Sequence, residues 1–409
     1  MRILLATSAA VPSGGGIAAY NQELCNLLGK EHELYLLTDS NECNVEGYKK
    51  TYSNYGKPHF NFDFCKKLVD NINAAQYDLI INSRHSIMPY IVPFLNAPII
   101  SVAHFVSGIQ ADNAGYNSDY LSSIIALSYY SKSYIDSEFK ILDKHKVKVV
   151  YNFVADNSKK YVNTKENTQE LTIVYPGGTS VQKSVDVVLD TVYRLKASNL
   201  RFKFIWLGGT VLPSSKMSIL GLRTTTQLIK DDERIILTGK VSREKAIEYI
   251  SSANIFLLPS RGEGCPMTLL EAMREGCIPI VSSAHHGSRE LLEKSGCGII
   301  VKQGESKELY EKLKHVIENH SEYLFNYQET YKFSHSDLSE AEWKRKMEEI
   351  ISEAVITPKR LLPMTYGAYR KSLTGFKRRI RKERIRTIFL SAWVRVKIDY
   401  LYLKWKGRR

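Results

Sequence analysis

Apolar residues in this chain come in short runs. Those at residues 2–6, 33–37, 78–82, 99–103, 124–127 and 147–150 are four or five residues long, and turn residues or helix-like stretches separate them. Runs of this kind predict the strands of a parallel sheet covered on both faces. A first helix is predicted over 17–28, directly after a Gly-rich turn. Residues 152–169 interrupt the alternation with Asn, Lys, Thr and Glu, and read as a connection between domains. A second alternation follows, with strands at 171–175, 202–207, 235–237, 255–258, 278–281 and 299–301 and helix patterns at 182–198, 242–251, 266–275 and 305–318. The prediction is α/β: two doubly wound Rossmann-like domains over 1–165 and 166–355, the last helix of the second able to cross back, and a tail over 356–409. Two such domains facing one another would bring their strand carboxyl ends to a shared cleft, where open α/β sheets bind ligands.

The net charge of +14 changes the picture of the tail only. Residues 359–409 hold 17 Lys and Arg against Glu383 and Asp399, which leaves the rest nearly neutral. A helix is predicted over 376–403. Ile385, Phe389, Trp393, Val396, Tyr400 and Leu403 recur in steps of four and three, on one face. Lys377, Arg378, Arg379, Arg381, Lys382, Arg384 and Arg386 form a basic block, with Tyr402 and Trp405 nearby. Such a helix suits an anionic membrane surface; packing on the chain's own domains, or on a partner, are the alternatives. No recognition motif accompanies the charge, so nucleic acid is not expected as a partner. No apolar run reaches eighteen residues, and residues 1–6 read as a strand rather than a signal peptide. Cys25, Cys43, Cys65, Cys265, Cys277 and Cys297 lack Cys-x-x-Cys spacing and read as reduced thiols. The expectation is a cytoplasmic protein peripherally associated with the membrane.

Candidate chemistry concentrates in residues 259–281. The strand 255–258 runs into a loop, and Pro266 marks the first turn of a helix, where its missing N–H needs no partner. Glu263 thus sits at a strand carboxyl end beside a helix N-terminus, which favours anionic oxygens. Glu271 lies about one and a half turns into that helix. A capped amphipathic helix with two solvated glutamates has the same spacing.

Pro259, Ser260, Glu263, Gly264, Pro266, Glu271, Ala272, Gly276, Pro279, Ile280 and Val281 together resemble the Glu-x7-Glu signature of family-four retaining glycosyltransferases. With further agreement over roughly residues 1–350, the resemblance implies the GT-B architecture, with a nucleotide sugar held mainly by the second domain. It implies that Glu263 lies close to the transferred sugar and that Glu271 accepts from the nucleotide ribose. Ionised carboxylates accept well from such hydroxyls. Gly15-Gly16-Ile17 matches the family's Gly-Gly near the donor. Val102-Ala103-His104-Phe105 is similar to the segment whose histidine contacts the donor sugar, with Phe105 departing from the pattern. Lys183, in Gln182-Lys183-Ser184-Val185-Asp186, is similar to the lysine that contacts the diphosphate; Ser184 replaces the usual Gly, a mild change. The backbone of Gly264, Cys265, Pro266 and Met267 would hold a sugar hydroxyl or phosphate oxygens. His286 replaces the first Gly of a Gly-Gly-x-x-Glu segment continued by Gly287, Ser288, Arg289 and Glu290.

One departure is larger. The family commonly has Gly-Arg about five residues before the lysine, where this chain has Gly177-Gly178-Thr179. Either Lys183 and backbone amides suffice, Arg261 or Arg289 substitutes, or activity is weakened. The implied reaction keeps anomeric configuration, and the leaving diphosphate takes the acceptor proton. No Asp-x-Asp occurs, so no metal and no cofactor are expected. The function implied is transfer of a sugar from a nucleotide-sugar donor to a glycan acceptor, lipid-linked, in the synthesis of a surface polysaccharide such as O-antigen, capsule or exopolysaccharide. The alternatives are a catalytically impaired binding subunit of a transferase complex, or a sugar-nucleotide epimerase or phosphorylase on the same fold.

Overall fold

The computed structural model describes residues 1–8, 15–39, 46–53, 60–105, 109–141, 143, 145–154, 170–178, 180–208, 232–284 and 286–406, with backbone alone at 109, 110, 324, 395, 399 and 401–406. The chain divides into two compact units. The first holds 1–155, 264–267 and 338–384; the second holds 156–263, 268–337 and 385–409.

The first unit is built on seven parallel strands, β1 Arg2–Thr7, β2 Glu33–Thr38, β3 Lys50–Ser53, β4 Leu79–Ser83, β5 Ile99–Ala103, β6 Ser123–Ala126 and β7 Val147–Val149, in the order β3-β2-β1-β4-β5-β6-β7. Ile3 is flanked by Leu34 on one side and Leu79 on the other. Helices α1 Gly16–Leu28, α2 Phe62–Ala74, α3 Met88–Ile91, α4 Ile109–Gly115 and α5 Tyr129–Glu138 alternate with the strands. Strands β4 and β5 are buried at every position, which is why their sequences, Leu-Ile-Ile-Asn-Ser and Ile-Ile-Ser-Val-Ala, are mostly apolar. The edge strand β3 was not legible as an apolar run: it reads Lys-Thr-Tyr-Ser, and no residue of it is fully buried.

The second unit has six parallel strands, β8 Leu171–Tyr175, β9 Phe202–Leu207, β10 Ile235–Gly239, β11 Ile255–Leu258, β12 Ile278–Ser282 and β13 Ile299–Val301, in the order β10-β9-β8-β11-β12-β13. Its helices are α6 Val185–Lys196, α7 Arg243–Ser252, α8 Met267–Arg274, α9 Gly287–Ser295, α10 Ser306–Glu318 and α11 Leu324–Ser336. Helix α12 Glu340–Ile356 belongs with the first unit, where Trp343 lies against Phe153 with ring centroids 4.8 Å apart. The expected fold class is the observed one: two doubly wound α/β units and a C-terminal helix.

That helix, α13 Tyr366–Lys406, starts ten residues before the predicted bound. Tyr369, Leu373 and Phe376 form an early stripe that joins the first unit's core. Further on, Val394 and Ile398 join the core of the second unit. The predicted apolar face is not the packed one. Phe389 is 72% and Tyr400 61% exposed, and Ile385, Ile388, Trp393 and Val396 are exposed with them. The periodic pattern picked out the exposed stripe and not the packed one, because an apolar repeat alone does not say which face meets the protein; the side chains of Tyr402, Leu403 and Trp405 lie outside the described residues. The basic block is not wholly a surface charge either. Arg379 pairs with the buried Asp112 at 2.9 Å and with Glu138 at 2.6 Å. No helix of the described residues is long and apolar enough to cross a membrane. The five described cysteines are buried thiols without disulfides; Cys43, Gly14 and Thr179 lie outside the described residues.

Candidate functional site

In the second unit the strand order reverses between β8 and β11, and open α/β sheets bind ligands outside the strand ends at such a point. The segment leaving β8 carries Lys183, and the loop leaving β11 carries Glu263. The topology therefore brings together two residues eighty positions apart. Lys183 Nζ donates to Glu263 Oε1 at 2.7 Å. The carboxylate is buried, and a quarter of the lysine side chain remains open to solvent. An ammonium has three N–H donors, so this pairing leaves others for an anionic ligand.

The Glu263 loop is held from both sides. On one side, the Arg261 amide donates to Gln182 O at 2.7 Å, and Gln182 Nε2 returns a bond to Gly262 O at 2.7 Å. On the other side, the Gly287 amide at the start of α9 donates to Glu263 O at 3.1 Å. His286, fully buried, caps α9 by accepting from the Arg289 amide, and its Nε2 lies 3.3 Å from Ser260 O. Burial lowers the imidazole's pKa, opposed by the charge of Glu263. Ser, Thr, Asn and Asp are the usual residues at such a cap, so the histidine gave little sign of this role in the sequence.

Neither proposed substitute for the missing arginine stands unengaged. The Arg261 guanidinium makes two bonds to the carboxylate of Asp186, at 2.8 and 2.9 Å, and a third to Val181 O at 2.7 Å. Arg289 binds Glu293 at 2.6 Å and Ser283 O at 3.1 Å. At the arginine's usual place the backbone is tightly packed. A Cβ on Gly177 would stand 2.1 Å from the Tyr175 hydroxyl, and Gly178 has φ +54°. Trp206 Nε1 donates to Gly178 O at 3.1 Å, and the buried Tyr175 donates to Lys183 O at 3.0 Å. Ser184 is a less mild replacement than the sequence suggests. It has φ +60° and ψ +45° at the N-cap of α6, the left-handed region that glycine enters without a Cβ penalty, and its side chain makes no cap bond.

Glu271, also buried, pairs with Arg243 Nη2 at 2.9 Å. Arg243 is the first residue of α7 and 40% of its side chain is exposed. Nothing in its local sequence marks it.

In the first unit, His104 follows β5 and is buried. Ser83 donates to Asn21 Oδ1 at 2.6 Å, and Asn21 donates in turn to Thr7 Oγ1 at 2.9 Å. The 2.8 Å contact between Ser83 Oγ and His104 Nε2 is then supplied by an Nε2–H, leaving Nδ1 as the ring's lone pair. Burial, with Arg84 adding to it, pushes the His104 pKa down to about 3. Gly15 caps α1 at φ +93°, and a Cβ on Gly15 or Gly16 would meet no atom within 4 Å. Backbone conformation, not crowding, calls for glycine at Gly15. The segment 264–267 is counted with this unit: a Cβ on Gly264 would stand 2.1 Å from His104 O. Cys265 accepts from Asn152, at Sγ from the amide (3.3 Å) and at O from Nδ2 (2.5 Å). Met267 is buried, and Pro266 has no N–H to offer a ligand.

Residues 170–319 match the family model described as Glycosyl transferases group 1. Over 138 residues the chain is 30% identical to the putative colanic acid biosynthesis glycosyltransferase WcaL of Salmonella typhimurium, covering 32% of each chain. Over 147 residues it is 29% identical to the amylovoran biosynthesis glycosyltransferase AmsK of Erwinia amylovora, covering 34% of each. The chain thus spans about a third of the length of these curated relatives. Among solved structures it is similar to Anabaena Alr3699/HepE in complex with UDP-glucose, with a TM-score of 0.68 and 16% identity over 86% of this chain and 99% of the other. That likeness shows the fold.

Proposed function

We propose that the chain is a retaining glycosyltransferase of the family-four type. It moves a sugar from a nucleotide-sugar donor to a glycan acceptor, lipid-linked, in the synthesis of a surface polysaccharide. The observation that carries this reading is the Lys183–Glu263 pair at the β8/β11 switch point, inside the stretch that matches the glycosyl transferase model. Colanic acid and amylovoran relatives support the polysaccharide, and a neighbour holding UDP-glucose supports the donor class.

In this reading Lys183 uses its remaining donors on the donor diphosphate while keeping Glu263 in place. Glu263 accepts from hydroxyls of the transferred sugar and stabilises positive charge at its anomeric carbon. Glu271, oriented by Arg243, accepts from the ribose. His104 contacts the sugar as a neutral ring. The family resemblance assigns Gly15, Gly16 and the backbone at Gly264, Cys265 and Met267 to the surroundings of the donor. The bond from the anomeric carbon to the phosphate oxygen breaks, and a bond to the acceptor oxygen forms on the same face. The acceptor's proton goes to the leaving diphosphate, so neither a general base nor a metal is used. The exposed apolar stripe of α13, with Arg381, Lys382 and Arg384 nearby, meets an anionic membrane surface.

The test is incubation of the purified chain with a panel of nucleotide sugars and lipid-linked acceptors, with and without chelator. Free nucleoside diphosphate, a glycosylated acceptor and a retained anomer by NMR are expected, unchanged by chelator. An inverted anomer, or consumption of no donor in the panel, would overturn the reading.

A further inference from the structure

We propose that the far half of α13 is a working part of the site on the second unit: Trp393 and Lys397 hold the Arg261 loop and, through it, position Glu263. The inference rests on the donor-site reading of Lys183 and Glu263.

Asp186 is fully buried, and one carboxylate there serves two cations. Besides the two bonds from Arg261, Lys397 Nζ lies 3.0 Å from Asp186 Oδ2. A buried carboxylate is costly unless charge-assisted bonds saturate it, so this cluster has one favoured arrangement. Trp393, one turn before Lys397, completes it. Its ring centroid is 5.8 Å from the Arg261 guanidinium carbon and 5.4 Å from Lys397 Nζ, within reach of cation–π attraction. Val394 and Ile398 seat this stretch of helix in the apolar core. Arg261 precedes Glu263 by two residues in a short loop, and its amide is bonded to Gln182 O. Displacing its guanidinium therefore moves the backbone that aims the Glu263 carboxylate at Lys183. Trp393 and Lys397 are not themselves among the predicted ligand contacts; they act by position.

The experiment uses the full chain and compares wild type with Lys397→Met, Lys397→Arg and Trp393→Leu. Amide hydrogen exchange needs no substrate, and two amides report the loop directly, Arg261 on Gln182 O and Gly287 on Glu263 O. Lys397→Met should speed exchange at both by about tenfold, as for a local opening that loses one charge-assisted contact, while amides of β1 and β4 stay as they were. Lys397→Arg should restore most of the protection. In transfer assays the KM for the donor should rise several-fold in Lys397→Met, with kcat falling less. If Lys397→Met loses its folded signal, Trp393→Leu carries the test, since Trp393 is half exposed. Unchanged exchange at Arg261 and Gly287 in a folded variant overturns the inference even if the wild type transfers sugar normally. An inactive wild type whose loop loosens in Lys397→Met overturns the transferase reading and leaves the clamp standing.

Discussion

Lys183 and Glu263, one after β8 and the other after β11, meet at 2.7 Å with unequal exposure: 25% of the lysine side chain and 6% of the glutamate side chain reach solvent. The asymmetry sets the outcome of breaking the pair. Glu263→Gln leaves a lysine that can turn to water, whereas Lys183→Met leaves a buried carboxylate without its cation. Lys183→Met should cost about 1–3 kcal/mol of stability and Glu263→Gln less. Both should lower kcat by about a hundredfold or more. Denaturant titration and steady-state kinetics check the two halves, and equal stability losses would refute the asymmetry.

Arg243→Ala should act on binding. Its side chain is 40% exposed, so little packing is lost, but the buried Glu271 loses the cation that orients it, at a stability cost like that of Lys183→Met. Donor KM should rise by about tenfold, equivalent to ~1.4 kcal/mol, with kcat nearly unchanged. A fall in kcat at constant KM would place the pair in the chemical step instead.

Ser184→Gly should stabilise the chain by up to about 1 kcal/mol, because a left-handed backbone at φ +60° is one a serine adopts at a cost. A melting temperature that falls would show that the Ser184 hydroxyl contributes more than the backbone gains.

His104 should remain neutral through the working pH range. Its folded value of about 3 lies below the ordinary 6.5, so below pH 6.5 the unfolded chain binds a proton that the native one refuses. Stability therefore rises with pH between those values, and acidification costs up to about 1.4 kcal/mol per pH unit from this group alone. His104→Asn should give a shallower dependence, by up to one proton, measured by denaturation between about pH 4 and 6. Parallel curves would refute the assignment.

Replacing Ile385 and Phe389 by Asp should release the chain from vesicles containing anionic lipid without altering its melting temperature, because both side chains are exposed. Retention on the vesicles would remove the membrane surface from the proposed function.

Most of the fold was legible because strands covered on both faces carry mostly apolar runs; β5 and β8 fall on their predicted positions to the residue. The exceptions have physical reasons. Strand β3 lies at an edge and has polar side chains, so it left no run. In α13, two apolar stripes share one helix, and only packing chooses between them. Glu263, Glu271 and Lys183 were picked out as candidates from spacing and resemblance, but their pairings with one another and with Arg243 left no trace in the sequence. Arg243 is twenty-eight positions from Glu271 and meets it only because α7 and α8 belong to one unit. Asp186 is an acidic residue in the first turn of α6, and its two cations come from a loop and from a tail more than two hundred residues on.

The burial of Tyr369, Leu373 and Phe376 bears on how membrane attachment can be measured at all. A chain trimmed of its last helix would bare the aromatic surface that Tyr90 and Phe62 now share with Tyr369. It would sediment by clumping with its own kind. Fractionation would then score the trimmed protein as more particulate than the whole, the opposite sign from losing a lipid anchor. Detergent sensitivity and buoyant density, rather than presence in a pellet, separate the two.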